Sequence, residues 1–165
     1  MTGLKKVFLA GLVMAVAACS SPSRFDNEVD LNNSNLYGDA GETSSPTYFQ
    51  QAVGDRVLFE VDQSTLTDQA RTVLNSQAGW LAEYGDYTAV IEGHADEQGT
   101  REYNLALGAR RANAVREYLV SRGVAGNRLR TVSYGKERPI EICSDEGCYM
   151  KNRRAVTVLQ PGLSG

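Results

Sequence analysis

The sequence predicts an α/β fold: an α+β sandwich in which two main helices pack on a small mixed four-stranded sheet, in the order βαβαββ. Three observations carry this. Four short β-rich runs recur at 56–61, 88–92, 128–133 and 154–159. The two longest segments between them keep apolar residues at helical spacing. Composition is ordinary for a globular chain, with 42% hydrophobic residues in 165.

The first strand, Arg56-Val57-Leu58-Phe59-Glu60-Val61, alternates, and Asp62 sits just past its end. Thr65 is placed to cap the first helix, with Asp68 three residues on as the acidic partner of a capping box. Leu66, Ala70, Val73, Leu74, Ala78 and Leu81 form its apolar stripe, and Trp80 packs in or over the core. Tyr84-Gly85-Asp86 stops it.

The second strand, Thr88 to Glu92, runs into the loop Gly93-His94-Ala95-Asp96. The second helix is read from Asn104, as N-cap, to Leu119, with Gly123 ending it. On a helical wheel of about 100° per residue, Gly108, Ala112, Val115 and Leu119 share one face, with Arg111 on its edge. Arg110 points away with Glu117. Gly108 costs roughly 1 kcal/mol relative to alanine in a helix interior, so a facing element is expected to approach it closely. The third and fourth strands are Arg128–Ser133 and Arg154–Leu159. Right-handed crossovers gather Asp62, the 93–96 loop and the start of the second helix on one rim of the sheet, where sites form in such folds.

A guanidinium held against a core needs a carboxylate or a substitute for one. Asp96 is the nearest candidate for Arg111. Two readings stand: an Asp96–Arg111 salt bridge stapling loop to helix, or opposite charges gripping a zwitterion, Arg111 taking a carboxylate and Asp96 an ammonium.

The run Asn104-x-x-Leu107-Gly108-x-x-Arg111-Ala112-x-x-Val115-x-x-x-Leu119 resembles the peptidoglycan-binding signature of the OmpA C-terminal-like domains. Gly93-His94-Ala95-Asp96 resembles the form found in the peptidoglycan-associated lipoproteins of that family. The resemblance covers roughly Arg56 to Gln160. It implies that Asp96 and Arg111 bind the diaminopimelate of the stem peptide, whose side chain carries a zwitterion. It further implies that Asn104 and Leu107 shape the site, with backbone groups of Gly93–Asp96, including His94 and Ala95, completing it. Asp62 is carried over as a secondary contact. Val61 stands where such chains commonly have phenylalanine. The partners implied are peptidoglycan, TolB and other Tol proteins of the Tol–Pal system.

The N-terminus reads as an address. Lys5 and Lys6 precede the apolar run Val7 to Ala18, too short to span a bilayer. Val16-Ala17-Ala18-Cys19 resembles a bacterial lipobox, which implies cleavage before Cys19 and acylation there; two or more chains give stable anchoring. The alternative is ordinary cleavage with a free thiol. Ser20, where an aspartate would favour the inner membrane, implies the outer one. The expected organisation is a signal peptide at 1–18, a lipidated flexible tether at 19–54 and a binding domain at 55–161. The tether lacks helical or alternating period; as a coil it would span roughly 30–35 Å, and on the order of 110 Å stretched.

With Cys19 lipidated, Cys143 and Cys148 are left as a pair, and an oxidising periplasm favours a disulfide. Lys151-Asn152-Arg153-Arg154 resembles the end of the family's domain; its charges read as a solvated strand entry or, alternatively, as an attraction for the acidic wall polymer. A net charge of −3 and a pI of about 5.2 argue against a nucleic-acid binder. One histidine and a disulfide do not make a metal site, and no catalytic triad is arguable at these spacings; no cofactor and no enzymatic activity are expected. The competing readings are a periplasmic protein-interaction adaptor, a wall-cleaving hydrolase, and a wall anchor for a motor stator.

Overall fold

The computed structural model describes residues 42–162. The signal peptide, Cys19 and most of the proposed tether lie outside the described residues.

Four strands, β1 (Arg56–Leu58), β2 (Tyr87–His94), β3 (Leu129–Gly135) and β4 (Arg154–Pro161), form one sheet in the order β1-β4-β2-β3. β4 is antiparallel to both β1 and β2, and β2 is parallel to β3. The helices are α1 (Pro46–Tyr48), α2 (Asp68–Glu83), α3 (Arg101–Ser121) and α4 (Glu146–Asn152). Burial along β2 alternates: Ala89, Ile91 and Gly93 are buried, while Thr88, Val90 and Glu92 are half-buried. One face is therefore more deeply covered than the other. The covering stripe is Ala70, Leu74, Ala78 and Leu81 of α2 with Ala112, Val115 and Leu119 of α3.

Two buried glycines set how closely α3 approaches the sheet. A Cβ on Gly93 would lie 1.8 Å from the Gly108 carbonyl oxygen, and one on Gly108 would lie 2.4 Å from Ser133 Oγ. The helical glycine thus has the close-approach role expected of it.

The folded part starts earlier than residue 55. α1 continues as a π-helical turn, Phe49–Gly54, and Phe49 is fully buried. Phe49 and Trp80 have ring centroids 4.9 Å apart, and Trp80 Nε1 donates to the Thr43 carbonyl at 2.8 Å. Aromatic area of this kind is enough to order a polar segment. Gln77, also fully buried, donates to the Gly54 carbonyl and accepts from Thr157 Oγ1.

Both helix starts differ from expectation. Thr67, not Thr65, caps α2, accepting from the Ala70 amide. The chain between β1 and α2 is used in a turn at Asp62 and in burying Leu66. Thr100, not Asn104, caps α3 and adds a turn to it. Asn104 is buried inside that turn. β1 is shorter than read, because the chain leaves the ladder after Phe59, whose amide donates to the Arg153 carbonyl at 2.9 Å. α4 lies where only a disulfide loop was expected; its seven residues are too few for a periodic signal.

Candidate functional site

The candidate residues lie where the C-terminal end of β2 meets the start of α3. Arg111 projects from α3 and is fully buried. Its guanidinium faces backbone oxygens: Nε donates to Gln63 O at 2.8 Å, Nη1 to His94 O at 2.8 Å and Nη2 to Glu60 O at 3.1 Å. Three of its five N–H donors are thereby used. The group lies over the Phe59 ring, 5.2 Å from its centroid. Burial pushes the pKa down to about 10, with nearby Asp96 opposing that and Arg153 adding to it.

The stapling salt bridge between Asp96 and Arg111 is not among the ion pairs of the described residues. Asp96 Oδ2 instead accepts from Arg153 Nη1 at 3.2 Å, and Oδ1 caps its own loop through the Gln98 amide. The physical reason is geometric: the chain brings three carbonyls onto the Arg111 guanidinium and takes three of its donors, while the carboxylate of Asp96 is turned to a second arginine.

That second arginine went unrecognised in the sequence. Arg153 and Arg154 are 2% and 4% exposed, not a solvated strand entry. Arg153 also donates to Glu146 Oε1 at 2.5 Å and to Phe59 O at 3.2 Å. It lies between α4 and β4, where no periodicity marks its direction. Arg154 Nη2 donates to Arg138 O at 3.1 Å.

The remaining candidates gather around this pair. Asn104 Nδ2 donates to Gln98 O at 2.7 Å and so shapes the loop. Leu107 is buried one turn before Arg111. Ala95 is buried, its amide bonded to Gly135 O at 2.8 Å. Asp62 sits in the turn whose Glu60 and Gln63 carbonyls hold Arg111. It has φ of +56°, and it accepts a hydrogen bond from the Tyr103 hydroxyl. Positive φ in a non-glycine residue costs on the order of 1 kcal/mol and needs support from neighbours. His94 is 2% exposed, and neither ring nitrogen has a hydrogen-bond partner among the described residues. It is a buried imidazole, and its carbonyl is one of the three that face Arg111. Burial, with Arg154 and Arg138 nearby, pushes its pKa down to about 4.

Cys143 and Cys148 are joined in a disulfide across α4's first turn. With both sulfurs so bonded, the Cys143–Asp145–Cys148 grouping offers no thiolate to a metal. No helix of the described residues is long and apolar enough to cross a membrane.

Residues 58–153 match the OmpA family. The chain is 52% identical over 148 residues to the peptidoglycan-associated lipoprotein of Rhizobium meliloti (strain 1021), covering 90% of this chain and 83% of that protein. It is 39% identical over 159 residues to the peptidoglycan-associated lipoprotein of Haemophilus influenzae (strain ATCC 51907 / DSM 11121 / KW20 / Rd), covering 93% and 95%. The crystal structure of the peptidoglycan-associated lipoprotein from Burkholderia pseudomallei is similar with a TM-score of 0.65 and 37% identity, over 73% of this chain and 98% of that one. The C-terminal domain of Helicobacter pylori MotB, at 22% identity and a TM-score of 0.61 over 66% and 86%, shares the fold.

Proposed function

The chain belongs to the OmpA family and groups with its peptidoglycan-associated lipoproteins, and from that premise we propose that it is an outer-membrane lipoprotein that holds peptidoglycan non-covalently. A lipid on Cys19 anchors it, and the segment after Cys19 carries the domain to the wall. It binds through the diaminopimelate of the stem peptide and works as part of the Tol–Pal system, with TolB as a protein partner. The role is one of binding, not catalysis.

The observation that carries this reading is Arg111. It is a fully buried cation with no carboxylate in ion-pair contact among the described residues. A buried charge of this kind is costly unless neutralised. A ligand carboxylate supplies what the protein withholds, through the guanidinium N–H groups that the three carbonyls leave over. Asp96, a few residues before α3, supplies the negative charge for the neighbouring ammonium. Entry of the ligand displaces the Glu60–Gln63 turn, which Asp62 and Tyr103 hold down.

The test compares thermal melts of the full chain in detergent with two stem peptides, one containing diaminopimelate and one containing lysine. Lysine lacks the side-chain carboxylate that Arg111 takes. A rise in Tm with the diaminopimelate peptide alone is expected. Equal shifts, or none at saturating peptide, would sink the zwitterion clamp and favour the adaptor reading.

Exposed apolar side chains on the segment before and within α4 support a protein partner beside the wall. Ile140, Ile142 and Met150 are 49%, 88% and 48% exposed, and such groups are common in docking surfaces.

A further inference from the structure

The backbone of the loop that supplies Asp96 is held by Asn104 and Lys136, but the carboxylates of Asp96 and Glu97 are reached from the α4 segment, which is closed by a disulfide. Asp96 Oδ2 is bonded to Arg153, whose other prong is held by Glu146 of α4. Glu97, the next residue, has one carboxylate oxygen that accepts from both Ser144 Oγ and Tyr149 Oη, each at 3.1 Å. Ser144 and Glu146 lie inside the ring closed by Cys143 and Cys148, and Tyr149 follows it directly. Glu97 is thus gripped from this small turn directly, and Asp96 through Arg153, which Glu146 of the turn holds.

Exposed hydrogen bonds to a carboxylate position little by themselves, because a mobile donor gives up as much entropy as it gains in energy. They position a loop only when the donors are already fixed. Here the donors are fixed twice. At the tip, the disulfide and the Asp145 cap on the Cys148 amide hold the turn. At the base, buried Asn152 accepts from the amides of Ile140 and Glu141 and donates to the Glu141 carbonyl.

We propose that the Cys143–Cys148 turn is a positioning element for ligand binding: through Arg153, Ser144 and Tyr149 it holds Asp96 and Glu97 in the conformation that receives the ligand's ammonium group. This rests on the reading of the site given above. Neither cysteine touches the ligand, and Glu97 acts as an acceptor for the turn, not as a ligand contact.

The experiment uses the full chain in detergent and the diaminopimelate stem peptide as probe. Three variants are compared with wild type: Cys143→Ser/Cys148→Ser, Glu97→Ala and Glu97→Gln. Amide hydrogen exchange across 96–99 is measured beside the peptide Kd. The double-serine and Glu97→Ala variants are expected to weaken Kd by roughly fivefold or more, about one hydrogen bond's worth, with faster exchange in the loop. Glu97→Gln keeps the acceptor oxygen and is expected to stay within about twofold of wild type. A purely stabilising disulfide would lower Tm and leave Kd and loop exchange alone; that result overturns the proposal, as does faster exchange with unchanged Kd. A loss in Glu97→Gln equal to that in Glu97→Ala overturns it too, since the charge would then be meeting the ligand. If wild type binds no peptide, the diaminopimelate reading fails by itself. Loop exchange then decides the positioning role: unchanged rates in the double-serine variant overturn it, and faster rates support it.

Discussion

Asp96 is paired with Arg153, not with Arg111: Arg153 Nη1 lies 3.2 Å from Asp96 Oδ2, while Arg111 faces the carbonyls of Glu60, Gln63 and His94. The two charges that a zwitterion would bridge are therefore held separately. Each is fixed by its own partners before any ligand arrives.

Arg111→Ala is expected to destabilise the domain as well as abolish binding. It leaves three carbonyls without their donor and a cavity beside Phe59, which costs on the order of 3 kcal/mol or more. Urea unfolding measures this directly. Arg111→Lys keeps the charge but loses the fork, so it separates the two effects: weaker peptide binding with a smaller loss of stability. A loss below about 1 kcal/mol in Arg111→Ala would contradict the three-carbonyl cradle.

Asp96→Asn is expected to weaken the diaminopimelate peptide by about tenfold or more, by removing the charge that meets the ammonium. Stability changes less, because Arg153 keeps Glu146 and the Phe59 carbonyl as partners. Isothermal titration gives the affinity. Unchanged binding would rule out Asp96 as the ammonium's counter-charge.

His94 sets an acid limit on the fold. Its folded pKa of about 4 lies below the ordinary 6.5, so the unfolded chain binds the proton more readily between those values. Stability from the neutral imidazole is fully present above about pH 6.5 and is lost as pH falls toward 4, by up to about 3 kcal/mol. Glu92 Oε2, 3.6 Å from Nε2, is the acidic group that faces the ring, and Arg154 and Arg138 oppose it. His94→Phe keeps a ring against Tyr134 and removes the titration. Its melting temperature is expected to fall less steeply with acid than that of wild type. Parallel Tm–pH curves for the two proteins would exclude His94 as the source.

The glycine pair makes a sharp contrast. Gly93→Ala drives a methyl into the Gly108 backbone, which has no room to yield, and is expected to prevent folding or cost several kcal/mol. Gly108→Ala meets Ser133 Oγ at 2.4 Å, which can turn only by giving up its bond to the Leu105 carbonyl, and the Gly93 carbonyl oxygen at a less severe 2.8 Å, and it gains helix propensity of about 1 kcal/mol. Its cost is expected to be smaller, and smaller still in a Ser133→Ala background. Chemical denaturation of the variants checks the order; equal costs would disprove the contact.

Phe49→Ala is expected to cost about 3–5 kcal/mol, because Phe49 is fully buried against Trp80 although it precedes the first strand. Thermal melts measure it. A change within about 0.5 kcal/mol would return the 46–54 segment to the tether.

Most of the fold was legible from local pattern. β2 and β4 alternate or run apolar, α2 and α3 keep their stripes, and Gly108 announced a close approach because glycine inside a helix needs a reason. The misplaced parts were those whose structure depends on distant residues. Thr100 and Thr67 won the caps because the loops before them had other tasks. Phe49 was ordered by Trp80, some thirty residues later. α4 was too short to show a period.

What the sequence determined was the order of elements, the face on which Arg111 lies, and the loop that carries Asp96. These follow from spacing along one strand or one helix, where geometry is fixed by the backbone. Only the tertiary structure decided which groups those charges meet. Arg111 finds carbonyls from the Glu60–Gln63 turn and from the end of β2, and Asp96 finds an arginine 57 residues away. Such pairings follow from how the sheet and helices stack, and a buried charge takes whichever partner that stacking brings within reach.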